Sequence, residues 1–325
     1  MNNPVADILK NWIPYKLEEG QCRWLYTADT RFTHPFFDET IGICRIDPIN
    51  RHSRRPTSDL EIMKEWSELI DAAPVKALIF HVSRCGSTLL SQQLALDENN
   101  IALSEVPFLD ELLRQGFRNK EEKKAGDYFK AALRFYSARR NGSEKAVYIK
   151  TDSWHLHFYA QLRELFPDLP FIILIRRPDE IIRSQRKMPG MQSVPGMIEP
   201  ELFGFNPNEL YFAEHDKHMA EVLATYYKAI QNIIAIDNNV LLCNYAEGMN
   251  NVFEKMAGFI GLNTDHDQLE KIKDRGNFHA KKPGEKFEEP PLNEEPPDFL
   301  KKAMKLYKEL ASNIGPHSEK IGIGL

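Results

Sequence analysis

Two short segments carry residue types suited to gripping an oxyanion. The first is HVSRCGSTLL, residues 81–90. Gly86 permits close approach of backbone to a ligand. Ser87 and Thr88 add hydroxyl donors, Cys85 lies inside the turn, and Arg84 adds a permanent positive charge. The second is Arg176-Arg177-Pro178-Asp179, with Ser184 eight positions after Arg176. Arg176 and Ser184 meet on one anion if the chain doubles back between them. The bland alternatives are a strand–helix turn with a capping serine and a surface ion-pair patch.

The flanking pattern says what must hold these segments. Residues 75–82 (VKALIFHV) form an apolar run of buried-strand length, and residues 87–96 read as a helix. Loop N–H groups at such a helix start, with the helix dipole, attract anions. Residues 171–175 (FIILI) form the most apolar strand, with Arg176 at its carboxyl end, where α/β folds bind ligands. Further strands are expected at 101–103, 146–149 and 240–244. Helices are expected at 107–116, 123–140, 155–166, 179–187, 210–236, 252–260 and 299–310. This alternation predicts an α/β fold, a central parallel sheet flanked by helices. Residues 1–72 read as an irregular extension with one helical stretch at 58–71, its Leu60, Met63, Trp66 and Leu69 spaced as a buried face. Residues 188–208 read as a long Met- and Pro-rich loop, and 283–297 as an extended Pro- and Glu-rich connector. The expected division is 1–72 as an extension packed on the core, 73–265 as the core, and 266–325 as a C-terminal segment.

The anion turn invites comparison with GxxxxGK[ST], the P-loop of nucleotide kinases. It departs twice, with His81 at the first glycine and Ser87 at the lysine. Without that lysine, γ-phosphoryl transfer from ATP is disfavoured. Composition narrows the classes further. The 325 residues are 42% hydrophobic and 27% charged, enough for a substantial core. A net charge of −5 disfavours general nucleic-acid binding. No apolar run reaches the roughly 20 residues of a membrane span, and the first residues lack a secretory pattern. Four scattered cysteines, Cys22, Cys44, Cys85 and Cys243, read as reduced thiols of a cytoplasmic protein. His155 and His157 fall on different sides of a helix, so a metal pair is not expected. His215 and His218 share a face without a third ligand and read as solvated.

Taken together and in this order, the elements resemble the PAPS-dependent sulfotransferases, whose fold is P-loop-like. That family has a loop [KR]-S-G-[ST]-T, matched by Arg84-Cys85-Gly86-Ser87-Thr88. About ninety residues later it has a strand leading into R-x-P-x-[DE] with a serine eight residues after the arginine. Arg176, Pro178, Glu180 and Ser184 match it. The cadence of residues 149–178, and the late strand ending in Asn244-Tyr245 before a helix closed by Gly261-Leu262, are also similar. The resemblance covers roughly 75–262. Two family features are missing: the aromatic directly after the loop is Leu89 here, and the late R-K-G motif is absent. Arg275, Lys281 and Lys282 are its candidate substitutes. The arginine that opens the loop resembles the bacterial and tyrosylprotein-sulfotransferase-like branch.

The resemblance implies an enzyme that moves a sulfuryl group from PAPS to a hydroxyl or amine acceptor. Arg84 and residues 85–88 would hold the 5′-phosphosulfate, and Arg176 and Ser184 the 3′-phosphate, with Tyr245 beside the nucleotide. Glu105 corresponds to that branch's general base. Asp152, where the soluble branch has histidine, is the alternative, and Lys150 would reach the transferred group. No metal is implied. The acceptor would be a small molecule or a carbohydrate or peptide hydroxyl, with no nucleic-acid or membrane partner. Residues 32–37 (FTHPFF) and the 188–208 loop are candidate walls of its pocket. The other readings are an ATP-dependent kinase and a nucleotide-binding module of the same fold without turnover.

Overall fold

Short helices and a small antiparallel sheet build the first part of the chain. The computed structural model describes residues 4–51, 56–209, 214–276, 278 and 295–314. Residues 1–72 are more regular than expected. Helix α1 (Pro4–Leu9) precedes an antiparallel hairpin of β1 (Trp12–Glu18) and β2 (Gln21–Tyr26). Its two-residue turn, Glu19-Gly20, has φ of 52° and 77°, the left-handed pair that suits the twist of a hairpin. After α2 (Phe37–Cys44), β3 (Thr57–Asp59) pairs with β2. Pro14 interrupts the pattern at the point where the β1–β2 register shifts, which hid the strand in sequence. The Asp59 carboxylate caps α3 (Leu60–Ser67) by accepting from the Ile62 N–H at 2.7 Å. Met63 is fully buried, but Leu69 lies past the helix end and is exposed, contrary to expectation.

Five apolar strands form the central sheet: β4 (Val75–His81), β5 (Asn100–Ser104), β6 (Ala146–Lys150), β7 (Phe171–Ile175) and β8 (Val240–Asn244). All pair parallel, in the order β5-β6-β4-β7-β8. Between them run α4 (Ser87–Leu94), α5 (Pro107–Asn119), α6 (Glu122–Tyr136), α7 (Tyr159–Leu165), α8 (Pro178–Lys187) and α9 (His215–Ile236). Then come α10 (Met249–Ile260), α11 (His266–Arg275) and α12 (Lys301–Ser312). The chain is thus α/β, with a parallel sheet flanked by helices. β6, β7 and the middle of β4 are buried on both faces, which is why they read as unbroken apolar runs. β4 leads to β5 on one side, and β7 lies on the other. The strand order therefore reverses beside β4, the kind of point where open α/β sheets bind ligands at the carboxyl ends of their strands.

Helices α3, α5 and α6 pack beside the N-terminal sheet, and α8, α9 and α12 pack together. The N-terminal sheet shares the core, because Trp24 meets Phe135 edge-on at 4.8 Å and the Tyr136 hydroxyl donates to the Pro14 carbonyl. Helix α6 ends at Tyr136, short of the expected end at residue 140. Residues beyond it turn back to bond residues 71–73, with Ala73 N–H donating to Ser137 O at 2.8 Å and Arg139 N–H to Asp71 O at 2.9 Å. The expected 155–166 helix begins as a 3-10 segment, Ser153–Phe158. Helix α11 was not anticipated. It is capped by Asp265, whose carboxylate accepts from Gln268 N–H at 2.8 Å, and packs on α4. The first residues of the expected 210–236 helix and most of the 283–297 connector lie outside the described residues. No helix among the described residues is long and apolar enough to cross a membrane.

Candidate functional site

The turn between β4 and α4 is held in conformations that ordinary residues rarely adopt. Ser83, Arg84 and Gly86 have φ of 70°, 49° and 84°. Two non-glycine residues in this region represent stored strain, of order 1–3 kcal/mol each. The surroundings impose it. The Ser83 hydroxyl accepts from Gln185 Nε2 of α8 at 3.0 Å and from Gln192 Nε2 at 2.8 Å, and its N–H donates to His81 Nδ1 at 3.0 Å. Arg84 donates to the Met188 carbonyl. A turn at the start of a helix is the kind of place where backbone N–H groups can form a concave cradle for an anion. The helical ladder begins only with Leu90 N–H on Gly86 O at 3.1 Å. The N–H groups of Ser87, Thr88 and Leu89 make no helical bond in this first turn, and that of Ser87 faces the Cys85 sulfur. Ser87 is buried and Thr88 half-buried. Burial pushes the Cys85 thiol up to about 11, so it is a neutral packing group.

Arg176 reaches this turn from β7. Its Nη1 donates to the Arg84 carbonyl at 2.7 Å and its Nε to Glu180 Oε2 at 2.9 Å. The guanidinium stacks 4.1 Å from the centre of the Tyr245 ring. Tyr227 fixes its backbone by donating to the Arg176 carbonyl at 2.6 Å. Tyr245 follows β8, where Asn244 and Glu247 form a capping box. Ser184 sits in α8 four residues after Glu180, hence on the same helix stripe one turn further on. Burial disfavours the charge of Arg84, while the Glu105 carboxylate favours it.

A second group lies at the ends of β5 and β6. Ser104 pairs with Lys150 across the two strands, which puts the next residue, Glu105, beside the Lys150 ammonium. Glu105 has φ of 52°, and its N–H donates to Lys150 O at 2.8 Å. Its carboxylate pairs with Lys150, whose side chain has no exposure. Burial raises the Glu105 pKa, but Lys150 and His81 overcome that and hold the carboxyl well below the usual range. Asp152 behaves oppositely. It is buried, and desolvation, with Asp110 and Glu105 nearby, drives its pKa well above the usual value. Phe36, from the FTHPFF segment, lies 5.5 Å over Lys150 Nζ. The 188–208 loop borders the cradle through Met188 and Gln192.

Asp152 belongs to a separate cluster. His155 Nε2 stands 2.9 Å from Asp110 Oδ1 and 3.8 Å from Asp152 Oδ2, and Trp154 donates to Asp110 at 2.6 Å. One ligand atom from each of Asp110, Asp152 and His155 lies within 4.8 Å of the others, a grouping that three metal ligands require. Asp110 is already engaged, by Trp154 and by Arg114 at 3.4 Å. His157 turns away to Thr225 and the Phe203 and Tyr226 rings, and burial lowers its pKa to about 4. His218, expected to be solvated, is 3% exposed and packs against Phe205, whereas His215 is exposed.

The structure therefore gathers Arg84, Cys85, Gly86, Ser87, Thr88, Arg176 and Tyr245 around one turn, and Glu105 with Lys150 at the neighbouring strand ends. Arg275 lies on the flank of α4, donating to Gln92 Oε1 and, at 3.3 Å, to Phe278 O. Lys281 and Lys282 lie outside the described residues. Sequence reading passed over His81, Gln185 and Gln192. Only His81 carried a signal, its place where a P-loop has its first glycine. All four cysteines are free and buried.

Neither a protein-family model nor a curated protein matches the chain. Solved structures similar to it include three sulfotransferases. The sulfotransferase domain from the curacin biosynthetic pathway has 17% identity and a TM-score of 0.42, over 65% of this chain and 83% of that one. A sulfotransferase from Alicyclobacillus acidocaldarius has 15% identity and a TM-score of 0.38, over 62% and 91%. Sulfotransferase STF9 from Mycobacterium avium has 11% identity and a TM-score of 0.45, over 76% and 79%.

Proposed function

We propose that the protein is a sulfotransferase that uses PAPS as donor and a hydroxyl or amine compound as acceptor. One observation carries the reading: a strained, lysine-free anion turn lies at the reversal point of the sheet, and a buried arginine from the next strand bonds that turn's own backbone. The turn suits a group such as the 5′-phosphosulfate. Arg176, which donates to Glu180 one helical turn before Ser184, suits a second, separate phosphate. ATP has none at its 3′ position. Ser87 in place of the lysine speaks against γ-phosphoryl transfer.

In the reaction, the acceptor oxygen attacks sulfur in line as the bond from sulfur to the 5′-phosphate oxygen breaks. The products are a sulfate ester and adenosine 3′,5′-bisphosphate. Arg84 and the N–H groups of residues 86–88 stabilise the charge left on the 5′-phosphate. Lys150 turns from Glu105 to the sulfuryl oxygens, and Glu105, released and ionised, takes the acceptor proton. Burial, with Asp110 and Glu105 nearby, disfavours the ionised form of Asp152 that a base needs. Phe36 and the loop around Met188 wall the acceptor side.

Thermal unfolding with nucleotides tests the reading. Adenosine 3′,5′-bisphosphate should stabilise the protein at concentrations where AMP and ATP have little effect. Sulfuryl transfer from PAPS should follow on an acceptor panel. Equal stabilisation by AMP and the bisphosphate refutes the assignment.

A further inference from the structure

His81 ends β4 and is 4% exposed, so both ring nitrogens must find partners inside the protein. Nδ1 accepts from Ser83 N–H at 3.0 Å. Nε2 lies 2.9 Å from the Thr151 carbonyl, past the end of β6, and 3.4 Å from Glu105 Oε1, past the end of β5. The first contact is a donor meeting Nδ1, and the others are acceptors meeting Nε2. Only the neutral ring with its proton on Nε2 satisfies all three. Protonating Nδ1 would set N–H against N–H. Burial works in the same direction and lowers the imidazole pKa.

One ring therefore touches two residues whose backbone has positive φ, Ser83 through its N–H and Glu105 through its carboxylate. We infer that His81 is a positioning residue that ties the anion turn to the proposed base: Nδ1 holds the left-handed turn through Ser83, and Nε2 aims the Glu105 carboxylate. This rests on the sulfotransferase reading for its catalytic meaning, although the linkage itself is independent of it. The charged and titratable groups that face Glu105 are Lys150, His81, Arg84, Asp38 and Asp152.

Two substitutions separate the two nitrogens. In His81→Asn the amide oxygen takes the place of Nδ1 and nothing reaches Glu105. In His81→Gln the longer amide reaches toward Glu105 and Thr151 but leaves Ser83 N–H unmet. His81→Asn should bind adenosine 3′,5′-bisphosphate within about threefold of the parent, while kcat falls roughly 10- to 100-fold. Its acid limb of kcat/KM should move to higher pH, because Glu105 has lost a donor that favoured its ionised form. His81→Gln should show the opposite split, with nucleotide binding weakened about tenfold and kcat nearer the parent. Equal losses in both readouts, or none, would mean that the ring only fills space, and would overturn the inference.

Nitrogen chemical shifts of His81 in the parent decide the linkage without any substrate. The neutral Nε2–H form should persist from pH 5 to 8. A protonated ring, or the Nδ1–H form, refutes it even where a variant fails to fold. A parent that binds no adenosine 3′,5′-bisphosphate refutes the functional reading, and the tautomer still decides whether His81 joins the two segments.

Discussion

The pair of Glu105 with Lys150 makes the most demanding prediction. Lys150 has no side-chain exposure and Glu105 has 22%. Removing one partner of a buried pair leaves the other charged and unpaired, at about 3–5 kcal/mol. Glu105 keeps some contact with water, so Lys150→Met belongs at the lower end, about 3 kcal/mol. Glu105→Gln strands the fully buried ammonium and should cost at least as much, about 3 kcal/mol or more. The double variant Glu105→Gln/Lys150→Met strands neither charge and should lose no more than either single variant. The coupling energy is then about 3 kcal/mol in the sense that the two losses do not add. Urea unfolding at pH 7.5 measures it, with unchanged slopes showing that only stability has moved. The pH dependence has a definite sign. The folded pKa of Glu105 is depressed, so its stabilising contribution is present above the ordinary carboxylate value of 4.5 and drains away as pH falls below it. The difference between parent and Glu105→Gln should be constant from pH 8 to 5 and shrink in acid. Simple addition of the two single losses would show that the pair is not held as described.

Arg176→Ala should remove most of the preference for adenosine 3′,5′-bisphosphate over AMP, about 10- to 100-fold by calorimetry, and Arg176→Lys should not restore it, because the flat guanidinium stacks on Tyr245. Glu105→Gln should lower kcat about 10²- to 10⁴-fold, whereas Asp152→Asn, at a carboxyl whose ionised form burial disfavours, should cost less than about tenfold; the reverse order would transfer the base to Asp152. Arg84→Ala and Thr88→Ala should cut turnover with PAPS while the far-ultraviolet spectrum is unchanged, and full activity in both would reduce the turn to a structural one. Cys22 and Cys243 are pushed up to about 12 and Cys85 to about 11, and Cys44 is also raised, so iodoacetamide at pH 7.5 should label no thiol in the native protein and all four in urea.

Much of the site was legible because its parts lie at the junctions of local patterns. An apolar run, a turn with glycine and a helix start locate Arg84–Thr88 from neighbours in sequence alone. The same reasoning puts Arg176 at the end of the FIILI strand, and strand–helix alternation predicts the parallel sheet. These features follow from side-chain periodicity over a few residues, and tertiary contacts only reinforce them. The N-terminal hairpin was missed for a local reason: Pro14 breaks the alternation that would have marked β1.

What only the tertiary structure decided is which distant residues share an environment. The states of Glu105 and Asp152 differ because the β5–β6 register sets Lys150 beside the first, while Asp110 and burial surround the second. Neither neighbour is near in sequence: Asp152 lies 42 positions from Asp110, and Glu105 pairs with a lysine 45 positions away. His81 reads as a mere departure from glycine until the strand order brings Thr151 and Glu105 to its Nε2. His218, on a helix face that looked solvated, is covered by Phe205 from the loop before it. Patterning along the chain specifies the faces that must be buried. The charge on a carboxylate or an imidazole depends on what is packed against it, and that is set by pairing between remote segments.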